Sequence, residues 1–216
     1  MAATSIGSRM SFDKAKQAIQ AAGFSLNRAI LSQSYIRSEV LLSTTATRYR
    51  FPLLINDNFS TVTNTSNLLN LQDAFYVSHA ALFFAKPSSS TNTQFQLVTY
   101  PNAIIFSTAN TAASLYTWYN GYLQLTVNNR VIWPQLDMYR FYDVPQTQDA
   151  SVAAVIDQQK GSDSALYPIE PGVVLVGSKQ NVLEAVLPST MQAVEDNSRA
   201  ILYIAGHLAQ NVTPVN

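Results

Sequence analysis

Residues 97–148 read LVTYPNAIIFSTANTAASLYTWYNGYLQLTVNNRVIWPQLDMYRFYDVPQTQ, and the middle of this stretch decides the fold. Leu123, Leu125 and Val127 alternate with Tyr122, Gln124 and Thr126. A period of two turns one face of a strand inward and the other outward. Asn128-Asn129 interrupts the pattern, and Arg130, Val131, Ile132 and Trp133 resume it. Asparagine tolerates the positive φ of a two-residue turn, so the pair predicts a β-hairpin. Just upstream, 111–119 has the length of a two-turn helix ended by Asn120-Gly121. Just downstream, 138–142 reads as one more strand, closing at Val144-Pro145.

The same texture extends in both directions. Residues 75–86 are apolar on both sides of an extended chain, which predicts a central strand whose outer face is covered as well. In 47–54, Tyr49, Phe51 and Leu53 share one side, and Pro52 marks an edge strand. Short strands are expected at 68–71, 94–99 and 103–107, and longer ones at 167–176, 182–187 and 200–209. In 182–187, Leu183, Ala185 and Leu187 alternate with Glu184, whereas 200–209 is apolar on both faces. Loops are expected at 56–67 and 87–93, and a long polar one at 146–166 with a short helix at 152–156.

The N-terminal part differs. Ser11 reads as a cap for a helix whose apolar stripe is Phe12, Ala15, Ile19 and Ala22, with Gly23 as its stop. Ser25 reads as the cap of a second helix carrying Leu26, Ala29, Ile30 and Tyr35. Residues 1–42 are therefore expected to form a basic helical arm and 43–216 a β-sandwich. Eight to ten short strands without an internal repeat predict an all-β protein: an antiparallel sandwich of the eight-stranded jelly-roll kind. An immunoglobulin-like sandwich is usually half this size.

Composition narrows the function. Of 216 residues only 12% are charged, while Ser, Thr, Asn and Gln together make up close to a third and aromatics 11%. Few ionised side chains and many rings suit a surface that other subunits cover. The formal net charge is zero but unevenly spread. Residues 1–40 hold Arg9, Lys14, Lys16, Arg28 and Arg37 against Asp13 and Glu39, a net of +3. A basic end on a mildly acidic body is the polarity of a subunit with one end toward nucleic acid.

Catalytic chemistry finds little purchase. With no cysteine there is no disulfide, thiol nucleophile or Cys-ligated zinc. His79 and His207 both fall within expected strands and are not spaced as a ligand pair. No phosphate-cradling glycine loop or nucleophile elbow occurs. Asp137 with Asp143, and Asp157 with Asp163, are the carboxylate pairs an acid–base mechanism would need. They read instead as turn residues, as does Glu195-Asp196, with Arg199 available to pair. The expectation is a non-enzyme with no cofactor and no metal. The Asn-X-Ser/Thr matches at Asn58, Asn64 and Asn211 read as chance in an Asn- and Thr-rich chain. The N-terminal residues lack the apolar core of a signal peptide, and no apolar run approaches a membrane span, so a soluble chain made in the cytoplasm is expected.

Tyr116, Trp118, Tyr119, Tyr122 and Trp133 form the densest aromatic group and are the candidate subunit-interface residues. Exposed, the same rings would make a sugar-binding platform.

The basic arm with Arg9, Lys14, Lys16 and Arg28, the ladder of short strands, the low charge and the lack of a catalytic cluster resemble the single jelly-roll capsid proteins of small tailless icosahedral viruses, including bacteriophages. The resemblance covers most of the chain and is one of texture, without a signature motif. It implies a structural virion protein, synthesised in the host cytoplasm, that self-assembles into a shell around a genome. Its partners would be copies of itself, other virion proteins and, through Arg9, Lys14, Lys16, Arg28 and Arg37, the genome. The arm is more weakly charged than many genome-binding arms, so tying subunits together is its other expected role. The alternative is a phage accessory β-sandwich, either a decoration protein or a receptor- or glycan-binding one.

Overall fold

The computed structural model describes residues 3–55, 57, 68–88, 95–102, 105–106, 109–144 and 165–215, with only the backbone at 3–11 and 109–111. In chain order the elements are α1 (Ala3–Ala21), β1 (Phe24–Ser25), β2 (Ile30–Leu41), β3 (Arg48–Phe51), β4 (Ala74–Ala85), α2 (Ala109–Ser114), α3 (Tyr116–Tyr119), β5 (Tyr122–Val127), β6 (Arg130–Asp137), a 3-10 turn (Met138–Phe141), β7 (Tyr167–Val176), β8 (Asn181–Val186), β9 (Arg199–Gln210) and β10 (Thr213–Pro214). The strands form two four-stranded sheets, ordered β2-β9-β4-β7 and β3-β8-β5-β6, and a small β1-β10 ribbon. Every pairing within them is antiparallel. The expected all-β antiparallel sandwich is therefore what the chain forms.

The core lies between the sheets. Ile36, Phe75, Val77, Leu82, Phe84, Leu175, Leu202 and Ile204 from the first meet Tyr49, Phe51, Leu123, Leu125, Leu183 and Ala185 from the second. Each large side chain so buried contributes roughly 1.5–3 kcal/mol. The hairpin at Asn128-Asn129 forms as read, with φ of 47° and 63°. Its turn is also held to the turn between β7 and β8: the Asn128 N–H donates to the Gln180 carbonyl at 2.9 Å, and the Gln180 N–H donates to Asn128 Oδ1 at 3.0 Å.

Strand β4 explains its own two-sided hydrophobicity. It sits inside the sheet between β9 and β7, and both of its faces are covered. Ala74 and Tyr76 point outward beneath α1, joining Ala15, Ile19, Val176 and Ala209. Ala81, Phe83 and Ala85 also point outward, toward Phe95, Leu97 and Leu166. Between Val77 and His79 the register slips by one residue, so Ser78 is the extra residue of a bulge. The bulge flips the parity, and the inward residues change from 75 and 77 to 80, 82 and 84. Gly206 faces it on β9, where a Cβ would sit 1.8 Å from the Tyr76 carbonyl oxygen. No other residue fits that position.

Three expectations need correction. The second helix, read from Ser25 through Tyr35, is not formed. That segment enters β2, which pairs residue for residue with β9 from Ile30↔Gln210 to Leu41↔Arg199. Ser-rich, β-branched chain is a poor helix former, and twelve paired positions outweigh a chance helical stripe. Residues 138–142 are a 3-10 turn with Met138 and Phe141 buried, not a strand. Of the short segments expected at 68–71 and 94–99, the described residues 68–71 and 95–99 contribute isolated bridges, Leu54↔Leu69 and Phe84↔Val98. Most of the expected loops at 56–67 and 146–166, the helix at 152–156, and much of 103–107 lie outside the described residues.

Candidate functional site

The four links β2–β3, β4–β5, β6–β7 and β8–β9 all leave the sandwich at one end, because antiparallel order alternates the strand directions in both sheets. They are joined to one another there. Leu42 N–H donates to the Ser198 carbonyl at 2.9 Å. Ala193 N–H donates to Ser114 Oγ at 3.1 Å. Lys86 forms an ion pair with Glu195, and the Thr99 hydroxyl donates to the Asp143 carbonyl. This end is a single connected surface, and α2, α3 and the 3-10 turn stand on it.

Its aromatics divide sharply. Trp118 is fully buried (0% exposed) and its ring packs against Tyr49 at 4.6 Å, Phe84 at 5.7 Å and Phe51 at 6.5 Å between centroids. Tyr119 is buried too, and its hydroxyl donates to the Thr99 carbonyl. Two residues before Trp118, Tyr116 is 49% exposed, and Tyr139 is 62% exposed. Tyr142 lies between them, stacked on Tyr139 at 5.8 Å and tilted against Tyr116 at 6.2 Å. The surface patch is thus Tyr116, Tyr139 and Tyr142, with Tyr119 beneath it at 5.0 Å from Tyr142.

Of the five candidate interface residues, the fold brings Tyr116, Trp118 and Tyr119 together and leaves Tyr122 and Trp133 apart. Tyr122 is half-buried on β5, paired with Asp137 and Val186. Trp133 lies opposite Leu125 and packs against the core. Trp118 and Tyr119 have no surface to offer a partner, because their own chain encloses them. Sequence reading missed Tyr139 and Tyr142. Asp137, whose carboxylate accepts from the Tyr139 N–H at 3.0 Å and starts the turn, was their signal.

Two of these phenols, Tyr119 and Tyr142, are held in the neutral form. Burial pushes Tyr119 well above the ordinary value, reinforced by Tyr142 and Tyr116. Tyr142 is raised chiefly by its hydrogen bond with Tyr116, then by burial. What the patch presents to solvent is ring faces and phenol hydroxyls.

The five candidate basic residues also separate. Arg9 lies on the first half of α1. Lys14 pairs with Glu170 at 3.3 Å across exposed surface. Lys16 holds its ammonium 4.5 Å from the centre of the Phe12 ring. Arg28 is exposed in the turn before β2. Arg37 is committed elsewhere: its Nε and Nη2 donate to Glu39 at 2.8 and 2.5 Å, while Arg199 Nη1 reaches the other oxygen at 3.0 Å. Glu39 is 0% exposed and Phe95 lies against both guanidinium groups. Arg199 therefore pairs with Glu39, and Glu195 pairs with Lys86.

His79 and His207 sit in β4 and β9 as read. Ser78 Oγ lies 2.9 Å from His79 Nδ1. His207 is buried beneath α1, 5.8 Å from the Phe12 ring centre, and burial lowers its pKa from the ordinary 6.5. Among the described residues, no three His, Cys, Asp or Glu side chains lie together as a metal site would require. Asp157 and Asp163 are outside the described residues. Also among the described residues, no helix is long and apolar enough to cross a membrane. No family model matches the sequence, and no curated protein or solved structure matches it.

Proposed function

We propose that this chain is the major subunit of an icosahedral viral shell, a jelly roll that assembles with copies of itself around a genome and does no catalysis. One observation carries the reading. The first strand pairs with the tenth, β2 with β9, β3 with β8, β4 with β7 and β5 with β6. Such a nested ladder arises when one long antiparallel ribbon is rolled around itself, which is how a jelly roll is built. The cap of connected links supports it by offering the rings of Tyr116, Tyr139 and Tyr142, and aromatic surface costs little to desolvate at a subunit contact. On this reading α1, with Arg9, Lys14 and Lys16, and Arg28 after it form the genome-facing side, and Tyr116, Tyr139 and Tyr142 meet a neighbour.

The exposed Tyr116 and Tyr139, with the half-buried Tyr142 between them, also favour a second reading, a decoration or receptor-binding sandwich that takes a glycan on their rings. Sedimentation velocity of the purified full chain separates the two. Pentamers or fast-sedimenting shells are expected. A lone chain or a sugar-binding trimer at every concentration overturns the shell reading.

A further inference from the structure

We propose that the open edge of β2 over residues 30–35 joins two copies of this chain, antiparallel about a dyad at Gln33, so that two β2-β9-β4-β7 sheets continue as one of eight strands. The inference rests on the shell reading and names one of its contacts.

It follows from how the sheet edges are finished. Two four-stranded sheets have four edges: β2, β7, β3 and β6. Three of them carry proline, which cannot donate to an added strand. Pro52 follows β3, Pro134 lies within β6, and Pro168 and Pro171 lie within β7. Strand β2 is 12 residues long and has none. Its first seven residues, ILSQSYI, also carry no charge. Among the described residues, no strand pairs with its far side, and Ile30, Ser32 and Gln33 are exposed. Farther along, Ile36, Ser38 and Glu39 have no exposed surface, so the open part of the edge ends at Tyr35. A long edge with neither proline nor charge is a template for another strand.

The same segment of a second copy fits that template. Its side chains are neutral, so a dyad sets no like charges opposite one another. With Gln33 facing itself, Leu31 falls opposite Tyr35 on the outer side. Leu31 and Tyr35, both partly exposed in the single chain, become apolar cross-strand neighbours. One surface used twice closes a two-fold contact without leading to an open filament.

The absence of cysteine makes the test clean. The full chain is prepared as Gln33→Cys, as Ser34→Cys in case the dyad lies one residue along, and as Gln135→Cys on β6 as the control. Each is oxidised under assembly conditions and run on a denaturing gel. At the dyad, equivalent residues have Cβ atoms about 4.5–5.5 Å apart, within reach of a disulfide after small adjustment. The expected result is a shift to covalent dimer for Gln33→Cys or Ser34→Cys, with Gln135→Cys remaining a single chain. Particles that assemble while neither β2 variant cross-links overturn the edge contact and leave the shell reading standing. A cross-linked dimer that never grows into a particle upholds the contact and removes the shell.

Discussion

Replacing Glu39 with glutamine tests how the first sheet is held together at its β2 edge. The carboxylate has no solvent exposure and accepts three hydrogen bonds from arginine, two from Arg37 and one from Arg199, at 2.5–3.0 Å. Arg199 is itself buried on the neighbouring strand. Glutamine keeps the shape but removes the charge that offsets a buried guanidinium. Breaking such a pair costs about 3–5 kcal/mol, a large share of the ~5–15 kcal/mol that holds a domain folded. For a chain of this length that corresponds to a fall in melting temperature of roughly 6–20 °C. Urea unfolding followed by tryptophan fluorescence reads it directly, since Trp118 lies in the core. The Glu39→Met/Arg199→Met double variant is expected to recover much of the loss, because both fully buried charges are gone and Arg37, 26% exposed, can still reach water. A Glu39→Gln cost below about 1 kcal/mol, the range of an exposed pair, would refute the reasoning.

Three further outcomes follow from the core and the bulge. Trp118→Ala is expected to cost about 3–5 kcal/mol. Trp118→Phe should cost much less, because the buried indole N–H makes no hydrogen bond among the described residues; equal losses in urea melts would contradict this. Gly206→Ala should destabilise by more than an ordinary strand Gly→Ala exchange, because the new Cβ meets the Tyr76 carbonyl oxygen at the Ser78 bulge. An unchanged melting temperature would show that the bulge yields. His207 titrates lower in the fold than its ordinary 6.5, so the unfolded chain binds its proton first as pH falls. Stability from this group is complete above about pH 6.5 and declines below it. His207→Phe should flatten that part of the stability–pH curve, and an unaltered slope would acquit the histidine.

Much of the fold was legible because local pattern and tertiary role agreed. Leu123 and Leu125, Leu183 and Ala185, and the Asn128-Asn129 turn each occupy the position their spacing implies. The two-sided run of β4 foretold a covered sheet, and α1 supplies half of that cover. Strand β2 was misread because Leu26, Ala29 and Ile30 imitate a helical stripe, while its partner β9 lies far along the chain, with Ile30 paired to Gln210. The same separation hid the Arg37–Glu39–Arg199 group. Residue type alone could not separate core from surface in the aromatic group. Trp118 and Tyr116 share one short helix, and a turn of the helix axis sends one ring inward and leaves the other outside.

The central claim is that this chain covers itself with copies of itself. Electron microscopy of the purified protein in its native buffer tests that most directly. Closed particles of uniform diameter, whose averaged subunit contacts include Tyr116, Tyr139 and Tyr142, are the predicted result. A field of single chains at high concentration, with Tyr116 and Tyr139 still open to solvent, would contradict it.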